Sequence, residues 1–183
     1  MVNVATLQDL FAHMQWADAT VWKTVFSFPP ATQDARLQEL LYHLHIVQRA
    51  FLKAWRGESL DGFPKFSDAE SLRDWGKAYY AEANSHLSTL TEEALNQPLL
   101  LPWAAMIEKQ FGRTPESSTL GETALQVALH TAYHRGQVNA RLRELGGEPP
   151  LVDYIAWIWQ GRPAANWLCS DHQRQGPLTE QQW

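Results

Sequence analysis

The 183-residue chain contains one cysteine, Cys169. A single thiol rules out an intramolecular disulfide framework and fits a reducing compartment. Cys169 stands alone in a polar tail, so it reads as an incidental thiol rather than a nucleophile. No apolar run approaches the roughly 18 residues that a membrane helix needs. The N-terminal stretch MVNVATLQDLFAHMQW has no basic region leading into an apolar run, so it does not read as a signal peptide. Basic runs are also missing. Fifteen Lys and Arg stand against 20 Asp and Glu, a net charge of −5, and the electrostatic footprint of a nucleic-acid binder is absent. There is no internal repeat and no linker that would divide the chain. The expectation is a soluble cytoplasmic protein of one domain over residues 1–183, with residues 161–183 as a polar C-terminal tail.

What is present is helical. Hydrophobic residues make up 45% of the chain and charged residues 19%, ordinary for a globular fold with a substantial core. Nine tryptophans are unusual and suggest large apolar wedges or a ring-lined pocket. Leu7, Phe11, Met14, Val21, Trp22 and Val25 make the stripe of a first helix over about Thr6–Phe26, with Trp16 and Asp18 beside it. Leu37, Leu40, Leu44, Val47, Phe51 and Ala54 repeat at three-four spacing in a second, about Ala35–Arg56. Ser67 and Glu70 have the spacing of a capping box that opens a third helix, reaching about Leu90. Thr91-Glu92-Glu93 reads as one short helical turn. Residues 97–118 break the pattern and read as a long crossover with short extended or hairpin segments. After Pro149-Pro150, a short apolar helix spans Leu151 to Trp159. Trp157 and Trp159 lie two apart on it, so both can hardly face one core. Trp167 and Trp183 could pin parts of the tail.

The fourth long helix, within Thr119–Gly146, organises the rest. Thr119 and Glu122 form a capping box, and Gly146 supplies a left-handed terminus. Leu120, Ala124, Val127, His134, Val138, Leu142 and Leu145 share an apolar face. His130 and His134 are one turn apart on that face, where imidazoles must be hydrogen-bonded or bind something. Gly136 beside them costs helix stability, which suggests a close backbone approach or space for a ligand. In the second helix, His43 flanks the seam and leans inward, whereas His45 follows Leu44 and leans outward. His13 and His86 read as surface residues.

Four long amphipathic helices with a crossover before the fourth describe an all-α four-helix bundle, and bundle cores are where facing helices build metal sites. His130, His134 and His43, with His45 as the alternate to His43, make a three-imidazole set that suits a divalent transition metal and leaves coordination positions open. Zinc and nickel are the favoured ions.

The motifs resemble the DinB/YfiT-like metalloenzyme family over nearly the whole chain. Trp16-Ala17-Asp18 is similar to the family's Trp-Ala-Asn, with Asp18 a departure. His43, Phe51-Leu52 and Arg56-Gly57-Glu58 match its helix-two spacing. His130-Thr131-Ala132-Tyr133-His134-Arg135-Gly136-Gln137 carries its signature, which Arg141-Leu142, Pro149-Pro150 and Asp153-Tyr154-Ile155 continue. The resemblance implies an up-up-down-down bundle with a short C-terminal helix, often a homodimer, holding a divalent metal on three histidines. Some relatives are similar to thiol S-transferases that use bacillithiol or mycothiol, including maleylpyruvate isomerase. The functional expectation is a metal-dependent enzyme joining a low-molecular-weight thiol to a small electrophile, with Trp16, Tyr133 and Arg135 as candidate substrate contacts and no assigned catalytic residue. The alternative is a non-catalytic metal- or small-molecule-binding stress-response bundle.

Overall fold

The structure is a computed structural model that describes residues 2–167; Cys169 and Trp183 lie outside them. Helix α1 spans Val4–Ser27, α2 Pro29–Gln33, α3 Ala35–Trp55, α4 Ala69–Ser88 and α5 Glu92–Leu95. Strand β1 (Pro98–Leu99), helix α6 (Ala104–Phe111) and strand β2 (Ser118–Thr119) follow, then α7 (Leu120–Glu144) and α8 (Tyr154–Trp159). The fold is all-α, with α1, α3, α4 and α7 as the four long helices. Among the described residues, no helix is long and apolar enough to cross a membrane.

Each long helix starts at a side chain that accepts an otherwise orphaned backbone N–H. Asn3 accepts from Thr6 N, Asp34 from Leu37 N, and Thr119 forms its capping box with Glu122. At α4 the cap is Asp68, not Ser67. The Asp68 carboxylate accepts from Ser71 N at 2.7 Å, while Ser67 only donates to that carboxylate at 3.3 Å. The stronger acceptor wins the orphan donor and starts the helix one residue later than Ser67 would. Helix α7 closes as expected on Gly146 at φ +87°. Gly146 N donates to Arg143 O and Gly147 N to Leu142 O, the paired bonds of a Schellman ending.

Cross-helix contacts set the directions. Asp34 meets Arg141, His43 meets His134 and Trp55 meets Thr123, so α3 and α7 are antiparallel. Tyr42 stacks on Trp75 and Trp55 on His86, so α3 and α4 are parallel. Asp18 bonds Tyr80 and Gln15 bonds Asn84, so α1 and α4 are antiparallel. The order is therefore up-down-down-up, not the expected up-up-down-down. Chain length explains the correction. Residues 28–34 are too few to run back along the roughly 36 Å of α1, so α3 must return antiparallel. Residues 56–68 can span about 43 Å when extended, and they form the true crossover. The long segment before α7 does not cross over. It leaves and returns at one end, where Leu120 N donates to Gln97 O and β1 pairs with β2.

The core holds Trp22, Tyr79, Tyr80, Phe11 and Leu142, all essentially without solvent contact. Trp157 is buried, whereas Trp159 is 79% exposed, as two-residue spacing on one helix requires. Trp167 is buried, with its ring 5.8 Å from that of Tyr80.

Two helical glycines have opposite meanings. Gly136 is exposed and a Cβ there would meet nothing within 4 Å, so of its two expected reasons the close backbone approach is absent and open space beside the helix is found. At Gly76 a Cβ would stand 2.4 Å from His45 Nε2. Gly136→Ala should therefore stabilise the protein by about 0.5–1 kcal/mol, the helix propensity gain. Gly76→Ala should destabilise it by about 1–3 kcal/mol through overpacking, despite the same propensity gain. Thermal melts of the two variants check this; equal shifts of one sign would refute it.

Candidate metal centre

The α3–α7 pairing brings three imidazoles together. The rings of His43 and His134 are 4.4 Å apart between centroids, those of His130 and His134 4.3 Å, and those of His43 and His130 6.0 Å. One ring nitrogen from each lies within 4.8 Å of the others, the only such group among the described residues. Metal–nitrogen bonds of about 2.0–2.1 Å hold ligand nitrogens at most about 4 Å apart, so small ring rotations would bring the three onto one ion.

The surroundings suit neutral imidazole ligands. His130 Nε2 is buried and has no hydrogen-bond partner in the protein, which is costly unless something else satisfies it. Gln137 Oε1 lies 2.9 Å from His134 Nδ1, and an amide oxygen only accepts, so Nδ1 carries the proton and Nε2 keeps its lone pair. This is the usual support of a metal-binding histidine. Burial holds the pKa values of His43 and His130 below the ordinary range, with the neighbouring imidazoles adding to the effect. The set therefore fits a divalent ion that prefers nitrogen ligands. His43 stands exposed at the outer edge and His134 is nearly buried, so the centre sits on the rim of the α3–α7 seam.

His45 is somewhere else. It is fully buried, the reverse of the outward lean expected, because α3 buries a second row, Leu41, His45, Gln48, Leu52 and Trp55, besides its seam. Both ring nitrogens are taken: Trp22 Nε1 donates to Nε2 at 2.9 Å, and Nδ1 lies 2.9 Å from Gln48 Oε1. His13, expected on the surface, is buried against Trp16 and Trp157 with Nε2 bonded to Val152 O. His86 is half-buried, its ring stacked on Trp55.

Of the three candidate substrate contacts, only Tyr133 is at the centre, 65% exposed and edge-to-face with His134 at 5.1 Å between ring centroids. Trp16 packs inside a separate cluster with Ala17 and Trp157. Arg135 turns inward and donates from Nη1 to Asp18 Oδ1 at 2.8 Å, both side chains at most 5% exposed. It is thus withdrawn from any substrate at the rim. Around this pair lies a polar network that the sequence reading missed. Asp18 Oδ2 accepts from Tyr80 Oη and from Gln48 Nε2, and Thr131 Oγ1 lies 3.3 Å from Gln48 Nε2. A signal existed: Asp18 is four residues after Met14 and four before Trp22, squarely in the apolar stripe of α1.

Burial, as the largest cause, lowers the pKa values of His13, His43, His45, His86 and His130. The unfolded chain then binds more protons than the folded one below the usual histidine value, about 6.5. The stability these groups contribute is complete above that pH and is lost as pH falls. In the presence of chelator, the melting temperature should drop steadily from about pH 7 to about pH 5. A flat profile over that window would contradict the buried-neutral histidines.

No curated protein and no solved structure matches the chain significantly. The sequence model of the DinB family matches residues 1–166, and with that match over nearly its whole length the chain belongs to the DinB family.

Proposed function

We propose that this bundle binds a divalent transition metal, zinc or nickel foremost, through His43, His130 and His134, and uses it to join a small thiol to an electrophile. The observation that carries the metal reading is the gathering of three imidazoles with one ring nitrogen of each within 4.8 Å of the others, beside which Nε2 of His130 is buried and unpartnered. A bound divalent ion would supply an open coordination position and a lowered thiol pKa.

The chain's own residues do the rest. Gln137 fixes the tautomer and orientation of His134. Tyr133 and Leu129, exposed one turn apart on α7, give the rim an apolar wall for the carbon portion of a substrate. The same reading takes the chain as a homodimer. Its support is the exposed apolar surface at Trp159, Leu151 and Ile155 around α8, and sedimentation at micromolar concentration checks it.

The test is a Co²⁺ titration of the metal-free protein followed by thiol addition. Binding of about one equivalent, with visible bands that shift when thiol is added, is the expected result. Bands that ignore every thiol, with no consumption of electrophile, would favour a non-catalytic metal-binding bundle.

A further inference from the structure

We propose that Asp18, Gln48, Thr131 and Arg135 are positioning residues: their buried network sets the α3–α7 register on which the spacing of His43, His130 and His134 depends. The inference rests on the three-histidine reading above.

The network has one self-consistent arrangement. The Trp22 indole N–H can only donate, so His45 Nε2 must accept. His45 Nδ1 then carries its proton and donates to Gln48 Oε1. That fixes the Gln48 amide, whose nitrogen faces Asp18 Oδ2 at 3.0 Å and Tyr80 Oη at 3.1 Å. Arg135 closes the chain on the other carboxylate oxygen. Donor follows donor from Trp22 to the carboxylate, across α1, α3, α4 and α7. Gly76 leaves room for the His45 ring, which any Cβ there would strike.

This is a costly way to fill a core. An apolar set of similar volume is often as stable as a buried ion pair, or more so. What the polar set adds is register. Sliding α7 by one residue moves it about 1.5 Å and turns it about 100°, which would strand the Arg135 charge and the Gln48 amide. The network is also adjacent to the centre in sequence. Thr131 follows His130, Arg135 follows His134, and His45 is two residues beyond His43. The same peptide segments therefore carry both the network and the imidazoles. Metal sites tolerate errors of only about 0.2 Å in ligand distance, far less than one helical step. Asp18, where the resembled family has Asn, gives Arg135 a full countercharge.

The experiment compares Co²⁺ affinity, the Co²⁺ visible spectrum and thermal melting in the parent, the double variant Asp18→Leu/Arg135→Met, and Thr131→Val. The double variant removes both charges together and so leaves none unpaired. Positioning predicts that it folds, melts cooperatively, and binds Co²⁺ about 10-fold or more weakly with shifted bands. Thr131→Val should weaken binding in the same direction by a smaller factor, and it carries the test if the double variant does not fold. Folded variants with the parent's affinity and spectrum would overturn the positioning role, leaving the metal centre intact. A parent that takes up no Co²⁺, or whose uptake survives His134→Ala, would instead overturn the three-histidine reading.

Discussion

Replacing His134 with alanine should abolish metal binding while leaving the bundle folded. His134 is central among the three rings, within 4.4 Å of both others between centroids, and its loss leaves two imidazoles with centroids 6.0 Å apart. Two ligands on a rim do not hold a divalent ion against buffer and water. The fold should hardly notice. Alanine is the best helix former, and the one hydrogen bond lost is local, to Gln137 on the same helix. Metal content should fall from about one equivalent to near zero, with helical circular dichroism unchanged and the chelator-treated melting temperature within a few degrees of the parent. His86→Ala, outside the group, should keep its metal. Full metal retention in His134→Ala would end the three-histidine reading. Loss of metal with retention of a catalysed thiol reaction would place the chemistry elsewhere on the protein.

Asp18→Ala should have the largest effect on stability, about 3–5 kcal/mol. The carboxylate is 2% exposed and accepts from Arg135, Gln48 and Tyr80 together. Truncating it leaves a guanidinium in a place from which water is excluded, and that isolated charge is the dominant cost. Urea denaturation should show a lower midpoint with an unchanged slope, the sign of altered stability rather than altered unfolded state. A loss below about 1 kcal/mol would mean that Arg135 finds water or another acceptor when Asp18 is gone.

The long helices and the histidine trio were legible because each is written locally. Apolar residues at three-four spacing gave α1, α3, α4 and α7 to within a few residues, and Thr119 with Glu122 fixed the start of α7. His130 and His134 share a face by arithmetic alone. What sequence could not give was rotation and direction. A helix packed on more than one neighbour buries an arc wider than its seam, so His45 and Gln48 went inside although Leu44 and Val47 marked the expected face. Polar residues that turn inward do not announce their partners: Asp18 stood beside the stripe of α1 and Arg135 stood as a candidate substrate contact until the side chains they meet on other helices were seen. Direction depended on comparing loop length with helix length, and the loop that looked longest was the one that came back to its own end. Asp68 outcompeted Ser67 as a cap because two adjacent acceptors were available and only one orphan N–H decided between them.

The rim position of the histidines separates two events that many small metalloproteins merge. In a zinc finger the ion is part of the folding reaction, and removing it unfolds the chain. Here the buried core of Trp22, Tyr79 and Phe11 is made of side chains other than the three histidines, and His43 stands open to solvent. On the proposed reading, an ion held there would enter and leave a finished protein, and its exchange would need no unfolding. Occupancy then follows the pool of free ions: copper outranks zinc and nickel in intrinsic affinity for nitrogen sites, whatever ion a reaction requires. The metal found after purification would therefore record where the protein had been, and the working ion has to be identified by reloading the emptied chain with one ion at a time.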